Sequence, residues 1–168
     1  MHKNKKGFTL TELMAAVVIL GILAAVAMGS YSKAIERSHM AEALTVGSAI
    51  LEGVNRYYYD NRRKSNRKCP KLTDLDVSVS KALGACATPT DYCVKTKYFE
   101  ITVPNDCNAS PAVVTAARIN GAYSIKFYPD FSSVSSLEKC VYANAKGQQI
   151  CQGAGYKTCN SSSECTKV

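Results

Sequence analysis

Between Leu13 and Ser32 the chain has no Asp, Glu, Lys or Arg. Twenty uncharged residues are poorly suited to water. As a helix they would extend about 30 Å, enough to cross the hydrocarbon core of a bilayer. No proline precedes Pro70, so nothing forces a helix to break in the first third of the chain. CxxC pairs are absent, and the only histidines, His2 and His39, lie far from the cysteines. That excludes the usual zinc spacings. There is no GxSxG, no HExxH and no phosphate loop, so no catalytic set is apparent. The expectation is a protein that is not an enzyme and has no cofactor and no metal. Acidic residues are scarce towards the end, where the last 30 residues hold only Glu164, with Glu138 just before them.

The 168 residues suit one domain plus an appendage. The formal net charge is +8, and Lys3, Lys5 and Lys6 supply three of those charges, so a chain lacking its first seven residues would carry 8 − 3 = +5. That balance favours acidic surfaces without specifying one. Eight cysteines, Cys69, Cys86, Cys93, Cys107, Cys140, Cys151, Cys159 and Cys165, all follow the apolar run. In an exported protein an even count reads as a disulfide framework. Eight cysteines allow 105 pairings, and spacing alone does not choose among them.

Four segments follow in order. Residues 1–7 are short, polar and basic. Residues 8–32 form the apolar span, and the lysines ahead of it place the N-terminus in the cytoplasm and the remainder outside. Residues 33–59 continue as an amphipathic helix, with Met40, Leu44, Gly47, Leu51, Val54 and Tyr58 at spacings of 4, 3, 4, 3 and 4. Glu36, Arg37, Glu42, Glu52 and Arg56 occupy the other faces. Residues 60–168 form a head domain. It opens with a basic loop, continues with a short helix within Leu72–Leu83 starting near Thr73 or Asp74, and then has strand-like runs at 98–103, 113–119, 123–128 and 139–143. Tyr123, Ile125 and Phe127 alternate onto one strand face, and Asn120-Gly121 signals a hairpin turn. The stretch from Gly147 to Val168 is rich in Gly, Ser, Asn and Cys and is expected to have little to pack and to be held by disulfides. The expected fold is α+β. A long N-terminal helix, membrane-spanning in its first half, packs on a small antiparallel sheet, followed by a disulfide-rich C-terminal region.

The most informative segment is Lys5-Lys-Gly-Phe-Thr-Leu-Thr-Glu-Leu-Met14, joined to the apolar residues through Ala27. A lone carboxylate, Glu12, at the start of a membrane span is costly and rare. This segment resembles the N-terminal signature of type IV pilins and type II secretion pseudopilins, which has a short basic leader, a Gly-Phe junction, a Thr-Leu-x-Glu run and about twenty apolar residues. The resemblance covers residues 3 to about 59. It implies that a prepilin peptidase cuts between Gly7 and Phe8 and that Phe8 is N-methylated. It also implies that the subunits self-polymerise through their helices on an inner-membrane assembly platform. Glu12 would then face the N-terminal amine of a neighbouring subunit. A bilayer carboxylate costs a few kcal/mol unless paired, and any other axial register leaves both charges unpaired. The alternative is that Glu12 reaches towards lipid headgroups. Gly21, Ala25 and Gly29 put small side chains on one face, which permits close helix approach in lipid. Many pilins have proline where Gly29 stands. Glycine also weakens a helix, by about 1 kcal/mol relative to alanine, so Gly21 to Gly29 is a candidate melting segment.

Other features carry weaker readings. Arg62, Arg63, Lys64, Arg67, Lys68 and Lys71 form a basic loop, either solvated or a contact for DNA or acidic surfaces. Tyr57-Tyr58-Tyr59 reads as helix-to-domain packing. Asn108 and Asn160 stand in glycosylation patterns, the first followed closely by Pro111. His39 reads as an exposed helix residue with no evident partner. Beside a disulfide-linked envelope enzyme held by a permanent anchor, which no catalytic set recommends, two other functions compete with a pilus subunit. One is a secretion pseudopilin, a class that often has acidic calcium loops, which the scarcity of late acids disfavours. The other is a secreted disulfide-rich binding domain whose signal peptide is cut after Ala27.

Overall fold

The computed structural model describes residues 7–61, 69–77, 86, 91–103, 113–131 and 137–167. The chain divides into two compact units, Met1–Glu36 and Arg37–Val168. The helix α1, Leu10–Asp60, contributes residues to both. It ends where Asn61 turns back, its amide N and its side-chain Nδ2 both donating to the Tyr57 carbonyl at 3.1 and 2.9 Å.

In the second unit α1 buries Met40, Ala43, Gly47, Ile50, Gly53 and Val54. Met40, Ala43, Gly47, Ile50 and Val54 follow spacings of 3, 4, 3 and 4, a single helical face. The contact line therefore runs along Ala43 and Ile50, whereas Leu44 and Leu51, expected at its centre, are only partly buried against the core. On that line Gly47 lets the Phe127 ring approach the helix backbone.

That face covers a seven-stranded antiparallel sheet of order β1-β2-β3-β4-β5-β7-β6. The strands are β1 (Cys93–Lys95), β2 (Phe99–Thr102), β3 (Val114–Arg118), β4 (Tyr123–Phe127), β5 (Glu138–Tyr142), β6 (Thr158–Cys159) and β7 (Glu164–Thr166). Alternation works as expected in β4, where Tyr123, Ile125 and Phe127 are buried and Ser124 and Lys126 are not. Phe99 and Ile101 of β2 and Val114 and Ala116 of β3 complete the central layer. The large apolar side chains among them, such as Phe99, Ile101, Val114 and Ile125, each contribute about 1.5–3 kcal/mol by burial. The expected hairpin joins β3 to β4. The Gly121 amide N donates to the Arg118 carbonyl at 2.8 Å, and Gly121 has φ +70°, a left-handed conformation that glycine adopts without strain.

Three expectations need correction. The segment from Gly147 onward does pack. It holds most of α2 (Ala145–Gly153) together with β6 and β7, and buries Ile150, Cys151, Tyr156 and Cys165 in the core. Asn144 caps α2 by accepting from the Gly147 amide N at 2.9 Å. The residues flanking these apolar positions are polar and aperiodic, which hid the element. In the described part of the expected helix within Leu72–Leu83, residues 72–77, there is a 3-10 turn, Leu72–Asp74, flanked by Lys71. Thr73 and Asp74 lie inside it, and Asp74 reaches back to accept from the Lys71 amide N at 3.0 Å. Residues 78–83 lie outside the described set. Finally, His39 is not solitary. It stacks on Tyr98 with ring centroids 3.7 Å apart, and its Nδ1 lies 3.2 Å from an Arg118 guanidinium nitrogen.

Three disulfides are defined: Cys86–Cys93, Cys140–Cys151 and Cys159–Cys165. Cys69 is also disulfide-bonded, and Cys107 lies outside the described residues. Polar ties secure the segment after α1. Arg56 Nε and a terminal nitrogen donate to the two Asp76 carboxylate oxygens at 3.1 and 2.7 Å. Lys71 Nζ meets Asp91 at 2.6 Å. These pairs are about half exposed, so they orient the segment more than they stabilise it.

Candidate assembly segment

The N-terminal unit is built around the start of α1. Gly7, Phe8 and Thr9 precede the helix without regular structure, and Phe8 is 84% exposed. Thr9 is the helix N-cap. Its Oγ1 accepts from the Glu12 amide N at 3.3 Å, while Glu12 Oε2 accepts from the Thr9 amide N at 2.9 Å and from Thr9 Oγ1 at 2.6 Å. This reciprocal arrangement is a capping box. It satisfies backbone donors that the first helical turn would otherwise leave open. Glu12 therefore has two local roles, to complete the cap and to place a carboxylate at the positive end of the helix dipole. Thr9 was not singled out from the sequence, although Thr-x-x-Glu ahead of an apolar run is a direct signal for it.

Beyond the cap the helix is apolar on every side. Leu13, Met14, Val17, Val18, Ile19, Leu20, Ile22, Leu23, Val26 and Met28 are all exposed. A helix that is hydrophobic all round needs a non-aqueous surround or other helices. Among the described residues α1 is the one helix long and apolar enough to cross a membrane. Gly21, Ala25 and Gly29 share a face at four-residue spacing, and nothing stands within 4 Å of where a Cβ would sit on Gly21 or Gly29. The face is open to a close neighbour. The helix runs unbroken through Gly21 to Gly29 in this state.

Other sequence candidates fall elsewhere. Arg62, Arg63, Lys64, Arg67 and Lys68 lie outside the described residues. Lys71, the remaining cation of that loop, is engaged by Asp91, whose hydrogen bond holds the lysine pKa above its ordinary value. Tyr58 stacks on Phe131 at 3.7 Å and so packs helix against head, while Tyr59 meets Tyr58 edge-on at 5.8 Å and is half exposed. Asn108 lies outside the described residues. Asn160 Oδ1 accepts from the amides of Ser162 and Glu164 at 3.1 and 3.0 Å, which commits its carbonyl to the β6–β7 turn.

The arrangement is a capped helix, apolar beyond its cap, with one carboxylate, which suits insertion and helix–helix packing. Residues 2–28 match the prokaryotic N-terminal methylation motif. A fimbrial protein of Eikenella corrodens is 45% identical over 60 residues, covering 36% of this chain and 39% of that protein. A type IV major pilin of Neisseria gonorrhoeae is 32% identical over 121 residues, covering 71% of this chain and 61% of that protein. A fimbrial protein of Moraxella nonliquefaciens is 32% identical over 77 residues, covering 46% and 50%. The chain thus spans between about two fifths and three fifths of the length of these curated relatives. No solved structure matches.

Proposed function

We propose that this chain, a type IV pilin family protein by its N-terminal methylation motif and its similarity to pilins, is a structural subunit of a type IV pilus or pilus-like filament. The observation that carries the reading is the start of α1, where a Gly7-Phe8 junction, a Glu12 inside a capping box and a helix apolar on every face follow one another within the matched motif. On this reading residues 1–7 are a leader removed by prepilin peptidase. Phe8 becomes the methylated N-terminus, residues 8–32 span the inner membrane and later form the filament core, and residues 33–59 carry the helix into the head of residues 60–168. Once subunits pack side by side, each Glu12 exchanges its Thr9 contacts for the N-terminal amine of a neighbour, and the Gly21, Ala25 and Gly29 face admits an adjacent helix. The chain's work is mechanical, not catalytic. An inner-membrane platform drives assembly, and the product is a periplasmic or extracellular filament. Any contact of the 62–71 loop with DNA or another acidic surface is secondary to that role.

The deciding experiment has two parts. Mass spectrometry of the mature N-terminus is expected to find Phe8 carrying one methyl group. A start at Met28 would instead indicate an ordinary secreted domain. Electron microscopy of cells lacking the protein is expected to show filaments lost or reduced. Unchanged pili with impaired protein secretion would point to the pseudopilin alternative.

A further inference from the structure

Four cysteines converge where β5, β7, β6 and α2 meet. Cys140 of β5 is opposite Cys165 of β7, and Cys165 is also opposite Cys159 of β6, so the three lie in one row across the sheet. Cys151 of α2 bridges to Cys140, and Cys159 bridges to Cys165. Residues directly opposite in an antiparallel pair point to the same face, so Cys140 and Cys165 stand side by side while each is bonded elsewhere. The ladder hydrogen bonds fix the spacing. The Tyr142 amide N donates to the Ser163 carbonyl at 3.0 Å. Counting two residues along each strand makes Cys140 and Cys165 a hydrogen-bonded pair as well, with Cα atoms about 5.5 Å apart. That lies inside the Cα span a disulfide bridges, about 4.4–6.8 Å, and the two Cβ atoms, about 5.5 Å apart in such a pair, have to close by about 1 Å for the bond to form. Access differs sharply among the four. Cys140, Cys151 and Cys165 are fully buried, and Cys159 is partly exposed on the edge strand.

We propose that this cluster is a thiol–disulfide exchange site, entered at Cys159 by an external thiol and resolved by transfer of Cys165 from Cys159 to Cys140. The incoming thiolate, from glutathione or the reactive thiol of an extracytoplasmic dithiol oxidoreductase, attacks Cys159 Sγ. An S–S bond forms to the attacker, the Cys159–Cys165 bond breaks, and the Cys165 sulfur leaves with the electron pair. That thiolate attacks the adjacent Cys140 Sγ. The Cys140–Cys165 bond forms, the Cys140–Cys151 bond breaks, and the Cys151 sulfur leaves as a thiolate that takes up a proton. One thiol enters and one is released, and the number of disulfides is unchanged, so no oxidant or further reductant is required. The buried bridge of the head thus has a route to rearrangement that no direct attack on its own sulfurs provides. An oxidoreductase correcting this protein would act at Cys159.

The full processed chain in detergent is treated with a small excess of glutathione, acid-quenched, alkylated and cleaved after lysine. In the parent, Cys140 and Cys151 join the peptides 140–146 and 147–157, while Cys159 and Cys165 share the peptide 158–167. The expected result is that the link moves to join 140–146 with 158–167, with glutathione on Cys159 and alkylated Cys151. Glutathione on Cys159 with alkylated Cys165 and an intact 140–146 to 147–157 link would overturn the proposal. The Cys151→Ser variant gives a second reading without added thiol. Cys140 is expected to capture Cys165 and leave Cys159 as the free thiol, whereas an intact Cys159–Cys165 bridge beside a free Cys140 would overturn it. The unsubstituted chain carries the first arm, so misfolding of the variant would leave the question decided.

Discussion

The Phe127 ring of β4 closes directly on the backbone of Gly47 in α1. A Cβ on Gly47 would stand 3.1 Å from Phe127 Cδ2 and closer still to Cε2 and Cζ. Two effects compete on replacing Gly47 with alanine. Helix propensity would gain up to about 1 kcal/mol. Overlap with a fully packed aromatic ring typically costs about 1–3 kcal/mol, and the ring, buried at 3% exposure, has nowhere to move. Overlap wins. Gly47→Ala is expected to lower head stability by about 1–2 kcal/mol in chemical denaturation of the detergent-solubilised chain. Gly47→Ala combined with Phe127→Leu should recover part of that loss. An unchanged or raised midpoint for the single variant would show that the helix and sheet separate easily.

Why the sequence revealed the helix and the central strands but not this contact is a matter of range. The apolar run before Ser32 and the alternation of Tyr123, Ile125 and Phe127 are local patterns, and local patterns survive in one dimension. Which glycine receives which ring depends on register between α1 and β4, about 80 residues apart in the chain. The stacking of His39 on Tyr98 was hidden for the same reason. The C-terminal region is hidden in the sequence for a different reason. Ile150, Cys151, Tyr156 and Cys165 are too sparse to show a period, yet all four lie in the core, beside a cap at Asn144, two disulfides and the β5–β7–β6 pairing. At the assembly segment Gly7, Phe8 and Glu12 stood out through their motif. The Thr9 cap needed only the four-residue pattern that contains Glu12.

The cap of α2 offers a second test. Asn144 Oδ1 is the acceptor for the Gly147 amide N, and a Cβ on Gly147 would press on the Ala122 backbone, with Tyr142 Cβ at 3.2 Å. Asn144→Ala is expected to cost about 1 kcal/mol through the lost cap. Gly147→Ala should cost more, about 2–3 kcal/mol, because backbone must shift. Equal midpoints for the two variants would mean that α2 packs more loosely on Ala122 and Tyr142 than the geometry indicates.

Glu164 provides a test by pH. Burial alone would raise its pKa, but hydrogen bonds from Lys126 and Lys139, each 3.2 Å away, outweigh that and hold it below the usual value of 4.5. Lys126 and Lys139 are directly opposed across β4 and β5, so the carboxylate also separates two like charges. A lowered folded-state pKa means the charged form favours folding. Its contribution is complete above the unfolded value and disappears as pH falls through the folded value. The parent should therefore exceed Glu164→Gln by about 1 kcal/mol at pH 7. That gap should narrow as pH is lowered below about 4.5. A gap that is constant from pH 7 to pH 3 would mean that the glutamate acts by shape rather than charge.

The filament reading makes its sharpest demand on Glu12. In the single chain its carboxylate is satisfied by the Thr9 hydroxyl and amide, so removing it costs only the capping box, about 1 kcal/mol at a helix end. That loss falls far short of what would unfold the unit Arg37–Val168, whose core begins at Met40. Prepilin peptidase would act at Gly7-Phe8, ahead of the altered position, so Glu12→Ala is expected to be processed, methylated and retained in the membrane like the parent. Assembly is different. Each subunit entering the polymer would bring a cationic amine into an apolar core with no carboxylate to meet it, at a cost of a few kcal/mol per subunit. A cost repeated at every addition stops growth. Shearing the cells and weighing filament against membrane-retained subunit should therefore show normal mature protein and little or no filament. If Glu12→Ala cells yielded as much filament as the parent, the amine pairing would be wrong, and the apolar faces alone would have to set the register.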